Sequence, residues 1–320
     1  MQLLRTPVPA SFFSVVLGLI GLGNTWHMAH QLWGYPQWLG EVVHTGAMGV
    51  WLLLLFLYAW KWMHHRGAAQ AEMRHGVQGN FVTLVPISSM LMALAVEPMS
   101  RTGATVVFVL GLLGWLTLTL YLGGRCFTGG LAAAQLGPAL YLPGVAGNFS
   151  AALVSSRLGW VGWDQLFFGA GLVSWLALES VVLHRLATAD PLPEALRATL
   201  GIQLAPPAVG LAVYVTVTPE PVALVAHMLL GYGLLQVLLL LRLTPWICQQ
   251  GWSMAYWAVS FGVTGLALGA QRWLALGQSA PAQALAPVLF CLANGVLGLL
   301  LIGSVWGALP RPTPGVAQAN

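Results

Sequence analysis

Runs of about twenty apolar residues with almost no charge inside them recur along this chain, and they constrain its fold more than any other feature. Such a run is the length a helix needs to cross the hydrocarbon core of a bilayer. Hydropathy and helix breakers divide the 320 residues into ten segments, roughly 10–30, 39–63, 80–97, 103–123, 141–157, 163–186, 197–217, 222–243, 252–275 and 282–307. Ten crossings use about 200 positions and leave about 120 for loops and tails, too few for a soluble domain. Composition agrees: 58% of residues are hydrophobic and 6% charged, against about 25% charged in a soluble domain. The expectation is one all-α polytopic transmembrane domain over 1–320. A balance of 12 Lys+Arg against 8 Asp+Glu, with no basic run, is too sparse to track a phosphate backbone, which excludes nucleic acid.

The first apolar run, Ser11 to about Met28, is too long for a signal-peptide core and lacks a cleavage site, so it reads as the first span. Basic residues then fix the sidedness. With ten spans, one side collects Arg5, Lys61, Arg66, Arg74, Arg125, Arg185, Arg197, Arg242 and Arg311, while the other holds only Arg101, Arg157 and Arg272. This nine-to-three split puts both termini in the cytoplasm, and adding or dropping one span destroys it. Cys126, Cys248 and Cys291 lie far apart without a C-x-x-C, and read as small hydrophobes.

Odd and even segments differ. Segments two, four, six and eight are smooth and free of proline, as in WLLLLFLYAW and LLQVLLLLRL. Odd segments carry breakers: Gly18, Gly21 and Gly23 in the first, Pro86 in the third, Pro143 in the fifth, Pro206 and Pro207 in the seventh, and Gly262 in the ninth. A proline frees the carbonyl four residues back, and within a membrane that group needs protein or a water-filled cavity to satisfy it. The pattern predicts five hairpins, each an inner broken helix followed by an outer smooth one, arranged in a quasi-fivefold ring around a central pore. Gly18, Pro86, Pro143, Asn148, Pro206, Gly262 and Gly265 are the candidate pore-lining residues. The spacing of Gly262, Gly265 and Gly269 equally suits close helix packing.

Chemistry-bearing residues are few. There is no G-x-x-x-x-G-K-[ST], H-E-x-x-H or G-x-S-x-G, and no catalytic or metal-ligating set. Four of the eight histidines, His27, His30, His44 and His227, lie in or near spans. They do not form matched pairs at comparable depths, which argues against the alternative class, a haem or quinone redox subunit, and no cofactor is expected. A carboxyl inside a span is a functional candidate. Glu179 is such a group, with no cation on its own helix face. Arg242 is the expected partner in a structural ion pair, and a proton relay is the competing role. Glu41, Glu97 and Arg101 fall near the outer ends, at headgroup level.

Several stretches carry a resemblance: FVTLVPISSM (81–90, after Asn80), YLPGVAGNFSAA (141–152), FFGAGLVSWLALE (167–179), LGIQLAPP (200–207), LLGYGLLQVLLLLRLTPW (229–246), WAVSFGV (257–263) and the E-x-R-H of Glu72 to His75. In the same order nearly end to end, they resemble the bacterial TehA-type members of the tellurite-resistance/dicarboxylate transporter family, which includes the plant guard-cell slow anion channel and C4-dicarboxylate (malate) carriers. The resemblance implies ten helices as five hairpins, a pore in each subunit of a homotrimer in the bacterial inner membrane, and a gate at the phenylalanine of S-F-G, here Phe261. Partners would be membrane lipid and small anions such as chloride, nitrate, dicarboxylates or tellurite. The alternatives to a channel within the family are a proton-coupled C4-dicarboxylate carrier and a tellurite or toxic-anion exporter. The chain departs from some relatives where prolines stand in the first helix, after the glutamate of segment six and after R-H; here those sites hold Val15 and Val16, Ser180 and Gly76.

Overall fold

A computed structural model describes residues 7–129, 131–132, 135–277 and 279–308, so the expected cytoplasmic tails with Arg5 and Arg311 lie outside the described residues. Every regular element among the described residues is helical. The long helices are α1 (Ser14–Trp33), α2 (Trp38–His64), α5 (Leu84–Val96), α6 (Arg101–Phe127), α7 (Gly147–Arg157), α8 (Trp163–Thr188), α10 (Ala205–Val217), α11 (Ala223–Ile247), α12 (Ser260–Ala275) and α13 (Ala280–Ala308). Short helices α3 (Arg66–Arg74), α4 (Gln78–Val82) and α9 (Glu194–Arg197) lie between them. Eight helices are long and apolar enough to cross a membrane. The protein is an integral membrane protein.

Consecutive long helices pack as pairs, α1 on α2, α5 on α6, α7 on α8, α10 on α11 and α12 on α13. Short turns join them, so the members of each pair are antiparallel and the five first members run parallel. Gly34 shows how a turn is made: it takes the left-handed φ of +71° and donates its N–H to His30 O at 3.0 Å, ending α1 two residues before Pro36.

The two kinds of helix differ in burial. Ala10–Trp33, Gln78–Val96 and Glu194–Val217 bury 72%, 72% and 94% of their apolar windows, whereas the even-segment helices bury 17–33%. The residues of α7 and α12 are buried over most of their length. Inner neighbours follow one another, with α1 on α5, α5 on α7, α7 on α10, α10 on α12, and α12 back on α1.

Each inner helix begins with an irregular turn. A 3₁₀ turn over Ala10–Phe13 precedes α1, and a break at Thr83 separates α4 from α5 three residues before Pro86. A π turn over Leu142–Ala146 holds Pro143 ahead of α7. Two further 3₁₀ segments, Ala198–Leu204 and Met254–Val259, lead into α10 and α12. At the π turn the Gly147 N–H donates to Leu142 O, which leaves Pro143 O free. The outer helix α6 satisfies it: Trp115 Nε1 donates to Pro143 O at 2.8 Å and Thr119 Oγ1 at 3.3 Å. This is how a broken helix survives in an apolar medium.

The structure revises three details. The fifth and ninth segments are the regular helices α7, of 11 residues, and α12, of 16, because their first turns are π or 3₁₀. The helix α3 in the second loop was not expected. Its Glu72 accepts hydrogen bonds from Lys61 Nζ (2.7 Å) and the Ala10 N–H (2.8 Å), pinning the entrance of α1 to α2. Proline also occurs in outer helices, as Pro245 near the end of α11 and Pro287 in α13.

Candidate functional site

The five irregular turns lie together at one end of the inner helices, and there a narrow cavity runs between them. Its wall takes Ser14 and Leu17 from α1, Phe81 and Leu84 from either side of the α4–α5 break, and Tyr141, Val145 and Phe149 from the approach to α7. Ala205, Pro206 and Val209 of α10, Trp257 and Ala258 of the 3₁₀ turn before α12, and Phe261 in the first turn of α12 also line it. The wall is almost wholly apolar. A second small cavity shares Ser14, Phe81 and Ala258 and reaches the more polar Ser11, Gln78 and Thr199, forming an antechamber on the N-terminal side of the inner helices.

Phe261 is the second residue of α12 and borders the cavity. It is half-buried, while residues 262–271 that follow are all buried. A large apolar ring that keeps free surface at the start of an otherwise buried helix faces the cavity.

The other sequence candidates divide. Pro206 stands in the cavity wall; Pro143 lies behind it, with its neighbours Leu142 and Val145 in the wall. Pro86 turns outward, into an apolar groove shared with Trp51 of α2 and Gly111 of α6. Gly18, Gly262 and Gly265 are packing positions: a Cβ on Gly18 would strike Ser260, and Cβ atoms on Gly262 and Gly265 would press on Leu204 and Val209 of the α10 segment. Asn148 donates Nδ2 to Gly144 O at 2.6 Å, and its Cβ lies against Gly171 of α8.

Glu179 is not paired with Arg242. Its Oε2 accepts from the Tyr141 hydroxyl (2.6 Å) and Trp175 Nε1 (2.8 Å), and its Oε1 from the Tyr232 hydroxyl (2.5 Å). Arg242 is exposed, ten residues or about 15 Å along α11 from Tyr232, and no ion pair joins it to Glu179 among the described residues. Three neutral dipoles substitute for a countercharge. Sequence reasoning missed both tyrosines; the only signal was Tyr141 opening the YLPG motif. It also missed that His27 and His44 meet, with ring centroids 4.9 Å apart. Rings in direct contact leave no room for a macrocycle between them, so the pair does not make a haem site.

A family model described as voltage-dependent anion channel, SLAC1, matches residues 7–305. The chain belongs to the SLAC1 family. It is 32% identical over 301 residues to the tellurite resistance protein TehA homolog of Haemophilus influenzae, covering 94% of this chain and 90% of that one. It is 24% identical over 319 residues to the S-type anion channel SLAH3 and 22% over 316 residues to the guard cell S-type anion channel SLAC1, both of Arabidopsis thaliana. The match covers 95% of this chain in each case, but only 48% of SLAH3 and 56% of the guard cell channel. The chain thus spans about half the length of these plant relatives. The SLAC1 family comprises anion channels and transporters rather than enzymes.

Proposed function

We propose that the protein is an anion channel of the bacterial inner membrane, with a pore through each subunit that Phe261 closes. The observation that carries this reading is the cavity to which all five inner helices contribute and whose wall includes the half-buried Phe261 ring. The π turn with α7 (Leu142–Arg157) and the 3₁₀ turn with α12 (Met254–Ala275) bring the crossings to ten. The order of inner-helix contacts, which returns to its starting member, supports a ring of five. Both termini are cytoplasmic, the subunit assembles as a homotrimer, and the permeant species are small anions such as chloride or nitrate.

Physical argument supports the gate. A dry constriction obstructs an ion because hydration is lost with nothing polar in return. The relatives, an S-type anion channel and a tellurite resistance protein homolog, agree with an anionic cargo.

Phe261→Ala is the decisive test. It should wet the constriction and raise anion current in planar bilayers well above wild type, with Phe261→Leu in between. If the ring were only core packing, Ala would cost about 3–5 kcal/mol of stability and raise no current. Currents no larger than wild type, at equal amounts of folded protein, overturn the gate. One observation favours a second reading, a proton-coupled C4-dicarboxylate carrier: Tyr141 borders the cavity and its hydroxyl donates to Glu179, which joins the cavity to an acid. Exchanging chloride, nitrate and malate one at a time, with and without a proton gradient, separates the two.

A further inference from the structure

Beyond the apolar cavity, toward the C-terminal ends of the inner helices, the cavity-lining faces become polar. Leu17, Phe149 and Val209 line the cavity, and seven residues after each stand Asn24, Ser156 and Thr216. Phe261 lines it too, and eleven residues later stands Arg272. At 3.6 residues per turn, spacings of seven and eleven both return to within about 20° of the starting face. All four of these polar residues are half-buried, and Asn24, Thr216 and Arg272 have buried residues on both sides in sequence. Helical periodicity places all four on the faces that line the cavity about two to three turns earlier.

Arg272 is the unusual member. Its Nη1 donates to Ala212 O (3.1 Å) and to Thr216 Oγ1, which fixes the guanidinium against α10. No carboxylate pairs with it among the described residues. Its Nε and Nη2 have no protein partner there, yet they are not sealed from solvent. Arg157 lies close enough for the two guanidinium charges to act on each other, but it is neutralised by Glu97 at 2.9 Å. The Asn24 amide and Ser156 hydroxyl likewise carry no hydrogen bond among the described residues. A charge held inside a protein without a countercharge is unfavourable, and two free donors of a rigid fork suit an oxyanion or halide.

We propose that this vestibule binds one small inorganic anion, a halide or a planar oxyanion of nitrate size, with Arg272 as its charged ligand and Asn24 and Ser156 as neutral donors. Thr216 is a positioning residue that holds the guanidinium. The inference deepens the anion-channel reading and rests on it for its role, as the site where an anion waits beyond the closed gate.

Binding is measured apart from conduction. Protein in detergent and sodium gluconate is titrated with sodium nitrate at constant ionic strength, and its thermal midpoint is followed. A ligand that binds only the folded state raises the midpoint as it saturates. Wild type should show that rise. Arg272→Gln should abolish it or raise the half-saturating nitrate about tenfold or more, the factor a charge-assisted hydrogen bond commands. Arg272→Lys should fall between, and Asn24→Leu, which leaves the bonds of Arg272 to α10 intact, should weaken binding even if Arg272→Gln does not fold. A wild-type midpoint indifferent to nitrate, or an Arg272→Gln response equal to wild type, overturns the site. In the Phe261→Ala background, Arg272→Gln should also raise the nitrate needed for half-maximal current. Absence of current from Phe261→Ala would count against the channel alone, and the titration would still decide the site.

Discussion

Glu179 is held by three neutral donors, and that decides how its variants behave. Alanine removes the common acceptor and strands the Tyr141 and Tyr232 hydroxyls and the Trp175 N–H. Tyr141 and Trp175 are 1% and 5% exposed, so neither can turn to water. Each buried donor left without a partner costs about 1–3 kcal/mol, and Glu179→Ala should lose about 2–5 kcal/mol. Gln keeps one acceptor oxygen of the same shape, and a tyrosine hydroxyl can reverse to accept from its NH₂, so its loss should be smaller. Arg242→Gln should stay within about 0.5 kcal/mol, as for an exposed side chain outside any network. Thermal unfolding of the three variants in detergent checks the order. A loss for Arg242→Gln matching that of Glu179→Ala would restore the ion pair. Anion current should survive Glu179→Gln if the protein is a channel; loss of proton dependence from a transport cycle, at unchanged stability, would favour the carrier.

The inner helix packed most closely on α10 is α12, and its glycine stripe sets the distance between them. A Cβ on Gly269 would lie 2.8 Å from Leu211 Cγ and 3.0 Å from the Ala212 backbone N, so the backbone itself is in the way. Gly269→Ala should destabilise by about 1–3 kcal/mol despite the better helix propensity of alanine. Gly49 on the outer helix α2 has nothing within 4 Å, and Gly49→Ala should be neutral or slightly stabilising by the same unfolding measurement. Equal effects at both sites would remove the packing role of the stripe. This contrast also marks what the sequence made legible. The alternation of broken and smooth segments was readable because proline and glycine act locally, and burial divides the helices along the same line. The resemblance singled out Phe261, and the residue borders the cavity. The meeting of the breaks around one cavity was not readable, because it depends on how far each helix is shifted along its axis. Nor were Tyr141 and Tyr232 as partners of Glu179, since the three stand on different elements and only tertiary packing brings them together. Asn24, Thr216 and Arg272 became a group only once cavity-lining residues fixed which face of each helix looks inward.

The proposed passage runs within one subunit, and the outer surface argues against a passage between subunits. The outer helices present Leu110, Leu120, Leu238, Leu299 and Ile302, each 64–73% exposed, an apolar surface ill suited to wall a water-filled path. Such faces suit lipid tails or the same apolar faces of neighbouring copies. In the proposed homotrimer each subunit therefore conducts alone, and the threefold axis is dry. Mass measured in native lipid particles should give three copies. Single particles of Phe261→Ala in a bilayer should pass current in up to three equal, independent steps, and particles that mix wild-type with Phe261→Ala subunits should show only as many steps as they have variant subunits. A mass of two copies would overturn the trimer. A single step whose size varied with the mixture would overturn the independent pores, because it would mean one shared path lined by all the subunits.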